Sequence, residues 1–205
     1  MTFGITLAYD VTGTYYSRVP PGQRCGYDTG SGGIAWTPDM WAANPGAVHI
    51  DQSPVNTALD EMSDVLDYER GAATLADIAP WAKAAQANFA GNARPGQRRP
   101  AVYMSASTVT DVVNALTAGG ISSGVSLWIA NWNLTEAESV AAVLAGSGPF
   151  PVIGIQFTDT GGGGTYDLDI FSLTWLTTQS GAAGNTVAQG SSGPAVLALQ
   201  QRLAA

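Results

Sequence analysis

The chain has 205 residues, 45% of them apolar and 12% charged, with a net charge of -8; this suffices for one domain with a sizeable core. Eight Lys and Arg against sixteen Asp and Glu leave no clustered basic face, which excludes a nucleic-acid-binding surface. One cysteine, Cys25, excludes an internal disulfide, and no apolar run reaches the roughly 20 residues that span a bilayer, so no membrane partner is expected.

Short apolar runs alternate with longer amphipathic ones, the pattern of β/α units around a parallel sheet. Phe3–Asp10 is the first strand candidate, and a weaker one lies near Gly26–Asp28. Ala47–Asp51 and Asp64–Glu69 follow. Thr74-Leu-Ala-Asp77 then opens a helical pattern with a capping box and ends at Gly91, with Pro80 either kinking the helix or marking its true start. Ala101–Ser105 is the next strand. A helix from Thr108 to Ala118 places Val109, Val112, Val113 and Leu116 on one face and stops at Gly119-Gly120. Val125–Asn131 is a strand, Thr135-Glu-Ala-Glu138 is a second capping box whose helix closes at Gly146, and Pro151–Phe157 and Tyr166–Phe171 complete the strands. The pattern predicts an α/β fold: a single irregular β/α barrel of about eight strands, with few or shortened helices, over residues 1–177. Residues 178–188, rich in Gly, Ser and Ala, read as a linker, and residues 189–205 read as a short terminal helix.

Several predicted strands carry polar residues at an end: Asp10, Asp51, Asp67, Glu69, Ser105, Asn131, Gln156 and Asp167. Strand ends carry the active sites of α/β barrels, so this recurrence predicts an acidic bowl. Asp67 and Glu69 are two apart and project to the same face of their strand, with Tyr68 turned the other way. Two close carboxyl groups do not readily both ionise, so one becomes a proton donor. Glycosidic cleavage requires such a pair, one acid to protonate the leaving oxygen and one carboxylate to stabilise the cationic sugar carbon. A salt-bridged or solvated structural pair has the same spacing. Tyr103, Trp128, Trp132 and Phe157 lie at or near strand ends and either line a sugar-binding groove or pack the core; Trp128, amid apolar neighbours, reads more as core. Asp51, in His49-Ile-Asp-Gln-Ser-Pro54, either contacts substrate or caps the following turn, and Asp28 in Asp28-Thr-Gly30 reads more as a turn residue. Cys25 reads as a small buried residue, because the single histidine, His49, lies in another segment. The stretch Thr158–Asp169 fails both the calcium-loop spacing and the P-loop pattern and reads as a flexible rim loop delivering Asp167. No metal or other cofactor is expected.

Taken in order, Ala8-Tyr-Asp10-Val, Asp64-Val-Leu-Asp-Tyr-Glu69, Val102-Tyr-Met-Ser105, Leu127-Trp-Ile-Ala-Asn-Trp132, Ile155-Gln-Phe-Thr158 and Asp167-Leu-Asp-Ile-Phe171 resemble the strand motifs of glycoside hydrolase family 25 lysozymes and their actinobacterial relatives. The likeness spans residues 3–176. It implies a β/α barrel muramidase acting on the β-1,4 bond between N-acetylmuramic acid and N-acetylglucosamine of bacterial peptidoglycan. It further implies Glu69 as general acid and Asp67 as the carboxylate steadying the cationic centre or the acetamido group. Asp10 and Asp167 match the family's two supporting aspartates, and Tyr103, Trp132, Gln156, Phe157 and Asp51 are the implied substrate-binding set. Ile155-Gln156-Phe157 departs from the family's Trp-Gln-Tyr, and residues 12–63 are poorer in helices than the family pattern, so substrate preference is less defined than the acid centre.

Gly190-x-x-Gly-x-x-Val-x-x-Leu-Gln-x-x-Leu203 resembles the opening of a peptidoglycan-binding module, of which only one helix is present. A monomer is expected. The N-terminus has neither a basic start nor a long apolar stretch, so no signal peptide is expected; this favours a phage endolysin released from the host cytoplasm over a virion-associated or extracellular enzyme. The competing expectation is a non-catalytic glycan-binding barrel that anchors to the wall or forms part of a virion.

Overall fold

The computed structural model describes residues 4–20, 22–30, 33–52, 62–94 and 96–179. The expected linker, beyond its first two residues, and the expected terminal helix lie outside the described residues. The described chain forms a closed barrel in which strands neighbour one another in sequence order: β1 (Ile5–Asp10), β2 (Gln23–Tyr27), β3 (Val48–Asp51), β4 (Val65–Tyr68), β5 (Ala101–Ser105), β6 (Ser126–Ala130), β7 (Val152–Gly161) and β8 (Tyr166–Ser172). The helices are α1 (Pro38–Ala43), α2 (Leu75–Gly91), α3 (Val109–Ala118), α4 (Glu136–Ala145) and α5 (Leu173–Thr177). Among the described residues no helix is long and apolar enough to cross a membrane.

Strands β1 to β7 run parallel, but β8 is antiparallel to both β7 and β1, which corrects the all-parallel expectation. The cause is the length of the connection. A parallel return needs a crossover of a dozen or more residues, whereas only Gly162–Thr165 separate β7 from β8. Gly162, Gly163 and Gly164 all have positive φ, at 57°, 76° and 83°, and turn the chain within that space. The expected rim loop is therefore a tight hairpin. Reversal of β8 has one consequence for chemistry: Asp167, at the start of this strand, lies opposite Asp10 at the end of β1.

Both capping boxes form, at Thr74 with Asp77 and at Thr135 with Glu138. Pro80 sits inside an unbroken α2, so it neither ends nor starts that helix. Among the described residues of 12–63 the helical elements are a 3-10 turn, Gly13–Arg18, and the six-residue α1, in keeping with the shortage of helical patterning there.

Strand alternation sorts the core into layers. Leu66, Val102, Met104 and Leu127 point outward to meet Ile78, Trp81, Ala85, Val112 and Leu116 of α2 and α3. Ala8, Cys25, Val48, Val65, Ala101, Tyr103, Trp128 and Phe171 point inward. Through the interior runs an aromatic column: Tyr103 meets Trp128 edge to face at 4.7 Å, Trp128 meets Phe171 at 4.8 Å, and Phe171 stacks on Trp175 of α5 at 5.6 Å. Such pairs contribute about 0.5–1.5 kcal/mol each beyond the area they bury. Gly154 on β7 makes room for them, since a Cβ there would lie 2.7 Å from the Phe171 ring and 2.9 Å from that of Trp128.

The end of the barrel where the parallel strands begin is closed by Arg98. Its guanidinium donates to the carbonyls of Gly46, Ala47 and Leu176 and to Asp64 Oδ2, at 2.7, 2.9, 3.1 and 2.9 Å. Asp64 is fully buried and also pairs with Arg94. A charge removed from water this completely needs both its counter-ion and its hydrogen bonds, and the three carbonyls come from the β2–β3 connection and from α5. With that end sealed, the opposite mouth is left for chemistry.

Candidate functional site

At the open mouth the ends of β1, β4 and β7 meet the start of β8. Asp10 ends β1 and is buried, with Oδ2 accepting a hydrogen bond from the Tyr27 hydroxyl of β2 at 2.9 Å and Oδ1 lacking a protein partner. Asp67, on β4, is 2% exposed, and its Oδ1 likewise lacks a protein partner. Glu69 lies one residue beyond the end of β4 and is exposed in an open cleft of about 460 Å³ with Tyr68, Arg70, Ser105 and Thr108. Asp167 is half-buried and accepts from Gln156 Nε2 at 3.2 Å.

These four carboxyls are those the sequence placed in the acid centre, and the fold brings them to one mouth. Burial holds the Asp10 carboxyl well above the usual carboxylate range, with Asp167, Asp169 and Asp67 adding like charge. Burial also raises Asp67, then Glu69 and Asp51 do, against a lowering hydrogen bond from Gln52. Glu69 is raised by partial burial and drawn back by a hydrogen bond from Tyr103. Asp167 is pushed up to about 7 by burial, Asp159 and Glu69. The outcome is a graded set: Asp10 and Asp67, in the depth of the bowl, are held well above the usual carboxylate range, and Glu69 and Asp167 are raised nearer its surface.

A fifth acid belongs to the set. Asp169, two residues along β8 from Asp167, is fully buried; its Oδ1 accepts from Trp128 Nε1 at 2.9 Å, and its Oδ2 lacks a protein partner. Burial and the charge of Asp167 hold its carboxyl well above the usual range. The signal for it was in the sequence, because the two-residue spacing that joins Asp67 to Glu69 applies equally to Asp167 and Asp169. Tyr27 was also missed, and no sequence pattern marks it; only the pairing of β1 with β2 sets its hydroxyl against Asp10.

Gln156 is the junction of the mouth. It is 1% exposed, and its Oε1 accepts from both the Tyr103 hydroxyl and Trp132 Nε1, each at 2.9 Å. Trp132 is thereby tied by its indole N–H while 58% of its surface faces solvent, which leaves a flat apolar face beside the acids. Tyr103 is only 5% exposed, so it supports Gln156 and Glu69 through its hydroxyl and is not a stacking wall.

Two further expectations are corrected. Phe157 packs outward with Ile155, Ile170 and the α4 residues Val140 and Val143, because it alternates with the inward Gln156; it does not line the groove. Asp51 is fully buried and accepts from the Thr29 hydroxyl at 2.8 Å, while Thr29 Oγ1 accepts from Gln52 N–H. It ends β3 and is held by Thr29 of the loop after β2; the turn it was expected to cap lies outside the described residues. Asp28 lies away from the bowl, accepting from Ser63 at 2.6 Å and contacting His49 Nδ1 at 2.7 Å, with the imidazole stacked on Trp41 at 3.9 Å. The aspartate stands between serine and histidine, so the imidazole does not face the serine and the string lacks the serine–histidine contact of an activated nucleophile. The Cys25 thiol is pushed well up by burial and by Asp169 and Asp10, against thiolate chemistry. Among the described residues no group of three or more His, Cys, Asp or Glu is arranged to hold a metal ion.

No family model matches the chain, and no curated protein matches it. Among solved structures, the chain is similar to an uncharacterized B. stearothermophilus protein determined at 1.07 Å, with a TM-score of 0.42 and 12% identity over 83% of this chain and 97% of that one.

Proposed function

We propose that this barrel is a glycoside hydrolase of the muramidase type, cutting the β-1,4 bond between N-acetylmuramic acid and N-acetylglucosamine in bacterial cell-wall glycan. The observation that carries the reading is the pairing of an accessible carboxyl, Glu69, with the buried acids Asp67 and Asp10 and the half-buried Asp167, beside the tethered, exposed ring of Trp132. The family resemblance of the strand motifs points the same way.

Glu69 is the group suited to general acid work. It reaches the open cleft, and its raised pKa keeps a proton on it to a higher pH than an ordinary glutamic acid holds one. It gives that proton to the glycosidic oxygen as the bond to the sugar carbon breaks. The positive charge that develops on the sugar falls within the field of the remaining carboxyls, and water completes the hydrolysis by adding to the sugar carbon and giving up a proton that replaces the one Glu69 lost. Asp167, with its pKa about 7, is the one of the bowl's aspartates whose ionised form is most accessible near neutral pH, so it takes the stabilising role that the resemblance implied for Asp67. Burial raises Asp67 and Asp10 toward the protonated carboxyl, the form that donates hydrogen bonds to a sugar. Trp132 offers its face to a sugar ring and Gln156 holds that face in place.

The test is a zymogram on purified peptidoglycan with the wild-type protein and Glu69→Gln. The wild type is expected to clear the gel, and the variant to lose about 10²–10⁴-fold in rate while keeping its fold. Mass analysis of the released fragments identifies the bond. Absence of clearing by the wild type, with the fold intact, removes the muramidase reading.

A further inference from the structure

Arg70 is the cation that follows β4 into the mouth. The other described cations are engaged or lie elsewhere. Arg94 and Arg98 hold Asp64, Arg24 lies over Tyr16 and donates to the Val19 carbonyl, and Arg18 lies over Tyr15. Lys83 is exposed on α2, and Arg99 is exposed just before the start of β5, at the sealed end. Arg70 forms no ion pair among the described residues, even though its chain neighbour is Glu69.

The local backbone is built to keep it there. Ala72 N–H donates to the Glu69 carbonyl at 3.1 Å and Ala73 N–H to the Asp67 carbonyl at 3.2 Å, closing a turn directly after β4. Gly71 completes it at φ 94°, a conformation that costs an L residue about 1–2 kcal/mol. The turn carries the acid and the guanidinium to the same cleft, whose remaining lining is Tyr68 and the neutral hydroxyl residues Ser105 and Thr108.

The opposite side of the mouth differs. There a smaller pocket of about 170 Å³ is lined by Asp10, Asp167, Tyr15, Tyr27, Thr12 and Tyr166 among others; no cation lines it, though Arg18 lies over the ring of Tyr15. On that side Asp167, raised to about 7, becomes an anion as pH passes neutrality and then disfavours a negatively charged substituent. On the β4–β5 side the guanidinium fork matches the geometry of a carboxylate.

We infer that Arg70 is a carboxylate-recognition residue, so that the glycan unit bearing an acidic substituent sits on the β4–β5 side of the cleft and the neutral unit on the β1–β8 side. The inference rests on the glycan-cutting reading and deepens it, because it names an acid-bearing glycan as the substrate class and sets its direction across the barrel. In cell-wall glycan the acid comes from one of two sources: the lactyl ether of the muramic unit, or the peptide attached to it.

The experiment is equilibrium binding by calorimetry, in a Glu69→Gln background that prevents turnover, with and without Arg70→Gln. Three probes separate the cases: a chito-oligosaccharide with no acid, glycan strands stripped to the free lactyl acid, and strands retaining their stem peptides. Arg70→Gln is expected to weaken the acid-bearing strands about 3- to 10-fold more than the chito-oligosaccharide, with the difference shrinking at high salt. Arg70→Lys is expected to restore part of it. Selective loss on the stripped strands assigns the lactyl acid; selective loss on peptide-bearing strands alone assigns the peptide. Equal loss on all three probes overturns the inference, even if the wild type clears peptidoglycan. Selective loss without clearing by the wild type keeps the carboxylate site and removes the muramidase reading, and binding of none of the probes removes both.

Discussion

Arg98→Met tests whether the sealed end of the barrel rests on one buried cation. The substitution preserves most of the side-chain volume but deletes the donors to Gly46, Ala47, Leu176 and Asp64. Breaking a buried ion pair from one side costs about 3–5 kcal/mol, because the partner charge stays buried. Asp64 retains Arg94 and the backbone N–H groups of His49 and Arg98, which places the expected cost near the lower end, about 3 kcal/mol. In a domain of this size each kcal/mol lowers Tm by about 2–4 °C, so the drop should be about 6–12 °C. Urea unfolding followed by tryptophan fluorescence measures it, and an unchanged m-value would show that the denatured state is not the cause. Arg98→Lys keeps the charge without the fork and should recover part of the loss. A cost below about 1 kcal/mol for Arg98→Met would refute the reasoning, since it would mean that the network is no better than a surface pair.

Trp132→Ala should raise KM for glycan by about 2- to 10-fold, the equivalent of a lost stacking contact, while an exposed position leaves stability within about 0.5 kcal/mol; a large fall in Tm would place the ring in the core instead. Tyr103→Phe removes the hydrogen bond that lowers the Glu69 pKa, so the alkaline limb of the kcat profile should move to higher pH, and a limb that stays put or moves down would contradict Glu69 as the acid. Asp10, Asp67 and Asp169 are raised in the folded state by burial. Their folded pKa values therefore lie above the unfolded value of about 3.9, the folded form holds its protons longer, and stability is complete below that value and declines as pH rises through the folded ones. With Asp167 at about 7, the decline should be visible between pH 5 and 8. Melts across that range should show Tm falling, and Asp169→Asn should flatten the curve; a Tm that climbs with pH would reverse the assignment.

The sequence by itself determined the elements. Seven strand positions, an eighth placed only roughly near Gly26–Asp28 where β2 is Gln23–Tyr27, both capping boxes and the presence of Asp10, Asp67, Glu69 and Asp167 at strand ends are local or periodic properties: alternation at two residues and capping at three. The tertiary structure decided what depends on which strands are neighbours and which way they run. The reversal of β8 followed from a four-residue connection, and the orientation of Phe157 from its alternation with Gln156. The burial of Arg98 depended on three carbonyls supplied from elsewhere in the chain, two before β3 and one in α5. Tyr27 entered the acid centre only through the pairing of β1 with β2. A carboxyl's chemistry depends on the water it loses and the charges it faces, and both come from the closed barrel; its position along the chain is what the residue pattern records.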